Sequence, residues 1–410
     1  MALCPGSTAD SSRVQLYMGE EQCWGADPTT VSPRPVLTAV RFTGESLTHT
    51  QDSVTSDEIR SDGQVTDLVR TQVGAEGDIN YELSYGTFDR FFEGALRADW
   101  SSEVDVNNGT GSPQTATVTI ASPLNVLTVT GSPNPLKNIQ VGAFIRVTGS
   151  ATSPTNNGFY EVLANASGAL TVSPAFAAPE TGTNLRIQSS HLRNGVTKKS
   201  YVIEKRFTDL SPQEILYFTG MRVGGASLSI VPGEIVTGSM SFLGKRGFAS
   251  NTSVGISDVA APAGDVANAV DNVSDLLLDG SALAADLTQL TFEINNNTRN
   301  KPAVANLGNI DIGLGRFNVE GNITAYFKDR TLYDKYLAFT AHSWSFAITV
   351  GDDAYVIEFP SIKFSNGVIV AEGNDQDIVA NMDFTARRDP TKGYTMAINR
   401  FSDAVGADLS

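Results

Sequence analysis

Cysteine is almost missing from this chain: two in 410 residues, Cys4 and Cys23, both near the N-terminus. That count excludes a disulfide framework, and nothing supplies the roughly four ligands a structural zinc site needs. Two such thiols fit synthesis in a reducing cytosol. Positive charge is scarce as well. Asp and Glu number 45 against 29 Lys and Arg, a net charge of -16. This argues against a nucleic-acid grip or binding to an anionic membrane, both of which need exposed cations. It is compatible with a surface past which nucleic acid slides without sticking. No run approaches the roughly 18 apolar residues of a spanning helix. The N-terminus is polar and carries Arg13, so no secretory leader is expected. The sequons Asn108-Gly109-Thr110 and Asn272-Val273-Ser274 are then incidental.

Catalytic signatures are also lacking. His49, His191 and His342 lie far apart, without metal-ligand spacing. The run from Gly238 to Arg246 imitates a phosphate-binding loop, but five residues separate its glycines and Arg246 replaces the Ser or Thr that would hold magnesium. Gly313-Leu314-Gly315 lacks the third glycine of a dinucleotide fingerprint. There is no nucleophile elbow. We expect no enzyme, no cofactor and no metal.

What the chain does have is an internal repeat. Gly77-Asp78-Ile79-Asn80 returns as Gly321-Asn322-Ile323-Thr324 at an offset of 244, which Asp67-Leu68 with Asp311-Ile312 and Glu76 with Glu320 share. Phe88-Asp89-Arg90-Phe91-Phe92 returns as Tyr333-Asp334-Lys335-Tyr336-Leu337 at 245, and Tyr201-Val202-Ile203-Glu204 as Tyr355-Val356-Ile357-Glu358 at 154. Met221 aligns with Ile362 at 141, and Met240-Ser241-Phe242 with Met382-Asp383-Phe384 at 142. Leu37-Thr38 and Phe42 match Leu287-Thr288 and Phe292 at 250. The order is collinear, and the fall from 245 to 154 implies an insert of about 90 residues in the first copy. The matches also imply about 13 extra residues after Glu204, including Ser211-Pro212-Gln213-Glu214.

Each copy uses the same local pattern. Ile79, Tyr81, Leu83 and Tyr85 alternate with polar residues, as in a half-buried strand. Phe88, Phe91, Phe92, Ala95 and Leu96 then form one stripe of a short helix with Thr87 as cap. Tyr333, Tyr336, Leu337 and Thr340 repeat the stripe, with Thr331 or Asp329 as cap. Asn366-Gly367 between apolar runs predicts a hairpin turn, and a bulge near Gly373 would absorb the second copy's extra residue.

The stretch 105–188 has a different texture. From 105 to 185 it holds five charged residues, Asp105, Lys137, Arg146, Glu161 and Glu180, and strand-like runs at 116–120, 126–129, 143–147, 159–162 and 169–172. It reads as a small β-barrel or sandwich. From 247 to 298 there is no Lys or Arg but seven acidic residues, Asp258, Asp265, Asp271, Asp275, Asp279, Asp286 and Glu293. Ala, Gly, Ser and Pro content predicts an extended connection there, with room for a short helix over 266–278. The expected organisation is an N-terminal arm (1–36), a first domain in two pieces (37–104 and 189–247), an inserted β-domain (105–188), an acidic linker (248–284) and a second domain (285–410). The fold class is mainly β, two tandem β-sandwiches with one short helix each plus a small all-β insert. Residues 44–67 read as a polar arm. Such an arm is either simply solvated or reaches a neighbouring subunit; in the second case Asp57, Glu58, Arg60, Asp62 and Arg70 are its candidate contacts, with Arg60 and Arg70 pairing acidic groups there.

Three runs carry a family resemblance. They are Phe42-Thr43-Gly44-Glu45-Ser46-Leu47, Ser56-Asp57-Glu58-Ile59-Arg60-Ser61-Asp62-Gly63-Gln64, and Gly77-Asp78-Ile79-Asn80-Tyr81-Glu82-Leu83-Ser84-Tyr85-Gly86. Phe218-Thr219-Gly220-Met221, Val231-Pro232-Gly233-Glu234 and Gly313-Leu314-Gly315-Arg316-Phe317-Asn318 add to them. Together they resemble the tail tube (major tail) proteins of long-tailed bacteriophages over both copies, with the insert outside the match. The resemblance implies β-sandwiches whose sheets join into a barrel around a channel, usually as six-domain rings. With two domains per chain, three chains would close a pseudo-hexameric ring. It further implies an acidic lumen passing genomic DNA without specific binding, an arm stacking on the adjacent ring, and an insert carried outward. The implied partners are other copies, the tape measure, the terminator and the distal tail protein, with no membrane. The implied location is the virion tail, assembled in the host cytoplasm, and an outward insert favours a non-contractile tail. The competing readings are another tail ring protein, terminator or distal tail, or a carbohydrate-binding surface module.

Overall fold

A computed structural model describes residues 8–107, 116–131, 134–151, 153–371 and 373–402. Cys4 and the Asn108-Gly109-Thr110 sequon lie outside them. The protein is mainly β, with two α-helices of eight residues, α1 (Asp89–Leu96) and α2 (Thr331–Ala338), among the described residues. Alternation of apolar and polar residues dictates the main layer. In the strand Leu68–Glu82, Ile79 and Tyr81 are buried while Asp78 and Asn80 face out. That strand pairs with Gly44–Glu45 and Thr48–Thr55 on one side and with Thr237–Gly244 on the other. Thr237–Gly244 pairs in turn with the C-terminal half of Glu214–Ile230. A second set repeats this order: Leu287–Asn295, Asn318–Tyr326, Val379–Ala386, then the C-terminal half of Asp353–Ile369.

The repetition extends to individual partners. Met240 sits opposite Ile79, and Met382 sits opposite Ile323, so the offsets of 142 and 244 hold together in one ladder. Tyr201 faces Met221, and His342 faces Ile362, with a register shift after Tyr201 and after His342. A further shift follows Val223 in one copy and Phe364 in the other. A bulge kept at matching positions is a shared design feature of a fold.

Several sequence expectations are corrected by this pairing. Tyr201–Phe207 corresponds to His342–Val350 at 141, so the Tyr201 and Tyr355 tetrapeptides occupy different strands and the supposed 13-residue excess disappears. Both tetrapeptides are fully buried, and buried strands draw on the same β-branched and aromatic residues. Leu37 and Phe42 do not correspond to Leu287 and Phe292. Gly44 faces Asn80 and Gln289 faces Thr324, which sets that offset at 245. The helices share their end geometry, with left-handed caps at Arg97 and Phe339, so they align at 242 rather than 245. Thr87 does not cap α1; its hydroxyl lies 2.8 Å from that of Ser84. For α2, it is Asp329 that accepts from the Thr331 amide, at 2.7 Å.

Asn366-Gly367 is not a turn, because Asp353–Ile369 runs straight through it. Gly367 is needed for clearance, since a Cβ there would meet the Tyr336 ring of α2 at 2.8 Å. Gly373 lies outside any strand, and the nearby ladder shift is at Phe364 and Asn366. The expected helix over 266–278 is absent; Val273–Leu278 is a strand paired with His342–Val350, so part of the acidic stretch belongs to the sheet.

The second layer covers the first. In the N-terminal half it contains Arg246–Ser250, Glu214–Ile230, Tyr201–Phe207, Val14–Glu20 and Val36–Val40 in that order. In the C-terminal half it contains Val273–Leu278, His342–Val350, Asp353–Ile369, Ala397–Phe401 and His191–Arg193. The strands Glu214–Ile230 and Asp353–Ile369 therefore belong to both layers. Eight strands, the first Val104–Val106 and the last Arg186–Ser189, form a separate sheet around Val118, Leu127, Ile145, Leu170 and Ile187. Its Phe144 packs against Ala354, Val356 and Phe401 of the second layer.

Gly77 and Gly321 keep the repeated tetrapeptide open. A Cβ at either would fall 2.5 Å from a neighbouring carbonyl oxygen, Ser46 or Thr291. Replacing Gly321 with Ala should destabilise the protein by about 1–3 kcal/mol through overpacking. The denaturant midpoint would report it, and an unchanged midpoint would contradict the clearance argument.

Candidate assembly site

The two repeats meet along one antiparallel ladder, residues 225–230 against 290–295. It joins their main layers into a single sheet of eight strand positions, counting Gly44–Glu45 and Thr48–Thr55 as one. Apolar closure comes from Phe92 and Leu228 of the first repeat and Phe292, Tyr355, Ile357 and Ile398 of the second, all buried. Helix α1 is enclosed by this joint, with seven of its eight residues buried.

Polar groups lock the same joint. Asn296 is fully buried, and its amide donates to the Ala95 and Val223 carbonyls at 3.0 Å. Arg97 donates to the Asn296 side chain at 2.8 Å and to the Gly315 carbonyl at 2.8 Å. Burial and the adjacent Asp89 carboxylate hold the Tyr355 phenol well above its ordinary pKa, so it stays protonated and donates to Asp89. Arg400 completes that group at 2.7 Å from Asp89. Asp311 accepts across the joint from Arg222 at 2.5 Å and Lys198 at 3.1 Å, and within its own hairpin from Lys301 at 2.9 Å. Burial pushes the Asp311 carboxyl up, but these three cations outweigh it and hold the group far below the usual carboxylate range.

The outward face of the eight-position sheet is acidic. Glu76, Asp78, Glu82, Glu293, Glu320 and Asp383 lie on it, exposed or half-exposed. Glu293 stands directly opposite Glu320, a like-charge pairing that costs the sheet stability. The sheet's two ends remain open among the described residues. At one end Thr48–Thr55 pairs only with Leu68–Glu82. At the other, residues 366–369 pair only with Val379–Ala386. Beside the second end, α2 buries Leu332 alone and leaves Leu337 and Phe339 exposed.

The five arm residues lie on the hairpin of Thr48–Thr55 and Leu68–Glu82, and all are exposed. Arg60 and Asp62 are brought together at 3.0 Å. Arg70 is not with them; it sits in the strand opposite Ser53. Sequence reasoning missed Arg97, Asn296, Arg222 and Tyr355. A signal existed for Asp311, since Asp67-Leu68 and Asp311-Ile312 were matched, though only as markers of the repeat.

A two-layer β scaffold whose main sheet is open at both ends among the described residues fits the class of structural assembly subunits. A family model described as phage tail tube protein matches residues 11–386, and the chain belongs to that family. It is a structural subunit of a phage tail tube, located in the virion tail. No curated protein matches the chain.

The depressed Asp311 pKa has a sign. Its ion pairs stabilise the fold fully above the ordinary value of 3.8, and that contribution is lost as pH falls toward the depressed folded value. Asp311→Asn should lower the denaturant midpoint at neutral pH, by an amount that shrinks steadily below pH 3.8. A difference independent of pH would contradict this assignment.

Proposed function

We propose that three copies of the chain close a ring, with its six repeats arranged in pseudo-sixfold symmetry, and that rings stack into a channel for the phage genome. One observation carries the reading: a continuous sheet of eight strand positions, open at both ends among the described residues, with the intervening joint already formed inside the chain. Three such sheets supply twenty-four positions. At a strand spacing of about 4.8 Å, untilted strands would give a backbone diameter of roughly 37 Å. Barrels of about 16–18 strands already hold an aqueous channel, so this one stays open.

The acidic face would line that channel. Its carboxylates repel DNA phosphates, so the genome passes without being held, and the cost of opposing Glu293 and Glu320 is then a functional one. The eight-stranded insert packs on the second layer, away from that face, which supports outward decoration and a non-contractile tail. On this reading residues 105–188 are the decorating domain, and the second tube domain takes in the strand Val273–Leu278. Further partners would be the tape measure, terminator and distal tail proteins, with assembly in the host cytoplasm.

The arm tip at Asp57, Glu58, Arg60 and Asp62 projects free of its own chain and would reach the next ring. Arg60→Glu should leave rings intact but shorten tubes seen in micrographs; tubes of normal length would remove the tip from stacking. For the ring itself, negative-stain microscopy of the purified protein, with its solution mass, should show three chains per layer and six similar lobes around a pore. Six chains per layer would keep the tube and overturn the pseudo-hexamer.

A further inference from the structure

The joint inside the chain has a second, unassembled version whose two halves lie at opposite ends of the same molecule. Residues 225–230 correspond to 366–371 at the shared offset of 141, and 290–295 correspond to 45–50 at 245. The correspondence extends into the arm. Its strands slip by one residue between Asp52 and Ser53. The second repeat makes the same slip between Asn295 and Arg299, and its short hairpin Arg299–Lys301 with Asp311–Gly313 keeps the arm's register thereafter. The arm's counterpart is therefore that hairpin, which folds back across the joint onto the first repeat, where Gly308 bridges Val73 and Asp311 meets Arg222.

The individual groups match. Asp67 corresponds to Asp311 and Lys363 to Arg222. Leu68 corresponds to Ile312, yet Leu68 is 63% exposed and Ile312 is 0% exposed. Lys363 lies over the Phe339 ring at 4.2 Å, and neither it nor Asp67 has an ion pair among the described residues. The edge strands, the arm hairpin and the Asp67 and Lys363 charges of a second joint are thus present, unpaired with one another among the described residues, whereas Arg97 and Asn296 are replaced by Phe339 and Gln51.

We infer that a second copy of this chain docks its first repeat onto the second repeat of this one, residues 45–50 pairing antiparallel with 366–371. In that register Thr48 faces Val368. The arm of the docking copy folds sideways across the joint, placing Asp67 on Lys363 and Leu68 under cover. The base of the arm thus closes a ring laterally, while its tip remains free to extend beyond. This rests on the ring reading above and names the surface and the register it uses.

The test is a disulfide trap in the full-length chain with Cys4→Ser and Cys23→Ser. Directly opposed residues lie about 4.5–5.5 Å apart at Cα, within disulfide reach. Val368→Cys with Thr48→Cys should give, in oxidised assemblies, a non-reducing ladder that ends at three chains. Val368→Cys with Asp52→Cys, displaced by roughly 13 Å along the strand, should give none. Assemblies in which the first pair stays unbonded, or both bond equally, overturn the inferred register and leave the tube reading standing. An unsubstituted chain that never assembles overturns both. If the cysteines themselves block assembly, charge exchange decides: Lys363→Asp and Asp67→Lys should each reduce assembly several-fold, and together restore it. Failure of the double variant to recover overturns the lateral arm.

Discussion

Every backbone amide and carbonyl along a sheet edge needs a partner, and the ladder between residues 225–230 and 290–295 supplies one for the two inner edges of this molecule. The rest is arranged around that requirement. The strand Glu214–Ile230 is long because it serves two layers, and the register shift after Val223 lets it bend from one to the other. Helix α1 is buried because the second repeat closes over it. Asn296, Arg97 and Asp311 then satisfy the polar groups that this closure takes out of water. The outer edges have the same need and no partner among the described residues, which is a physical reason for the chain to associate with its own copies.

How much of this was legible in the sequence depended on whether a feature was local. The alternation through Ile79 and Tyr81 fixed a strand, and the Phe91, Phe92, Ala95 stripe fixed a helix, because side-chain period follows backbone geometry. The insert's strands were readable too: the runs at 116–120, 126–129 and 169–172 fall on Thr117–Ala121, Val126–Thr130 and Ala169–Ser173. Glycine misled where its reason was spatial, since Gly367 answers to a tyrosine on α2 and not to a turn. The Tyr201 and Tyr355 tetrapeptides misled for another reason. Both line buried strands, where composition converges and four residues cannot set register.

The joint itself was invisible for want of local signature. Asn296 is about two hundred residues from Arg97, and an Asn after a strand reads as an ordinary turn residue. The acidity was readable as a number but not as a surface. Only the pairing of strands puts Glu293 beside Glu320 and gathers the carboxylates on one face. Held by hydrogen bonds and apolar packing behind it, the sheet tolerates that repulsion, which on the proposed function would keep DNA from sticking to the channel wall.

On this reading the chain carries within itself the joint by which it assembles. A cryo-electron-microscopy map of the assembled tube, at a resolution that separates strands and reads side chains, tests this most directly. Twenty-four strand positions from three chains should surround the lumen, the joint between chains superposing on that of residues 225–230 with 290–295. A lumen in which residues 366–371 remain unpaired, or meet any segment other than 45–50 of the next chain, would contradict it.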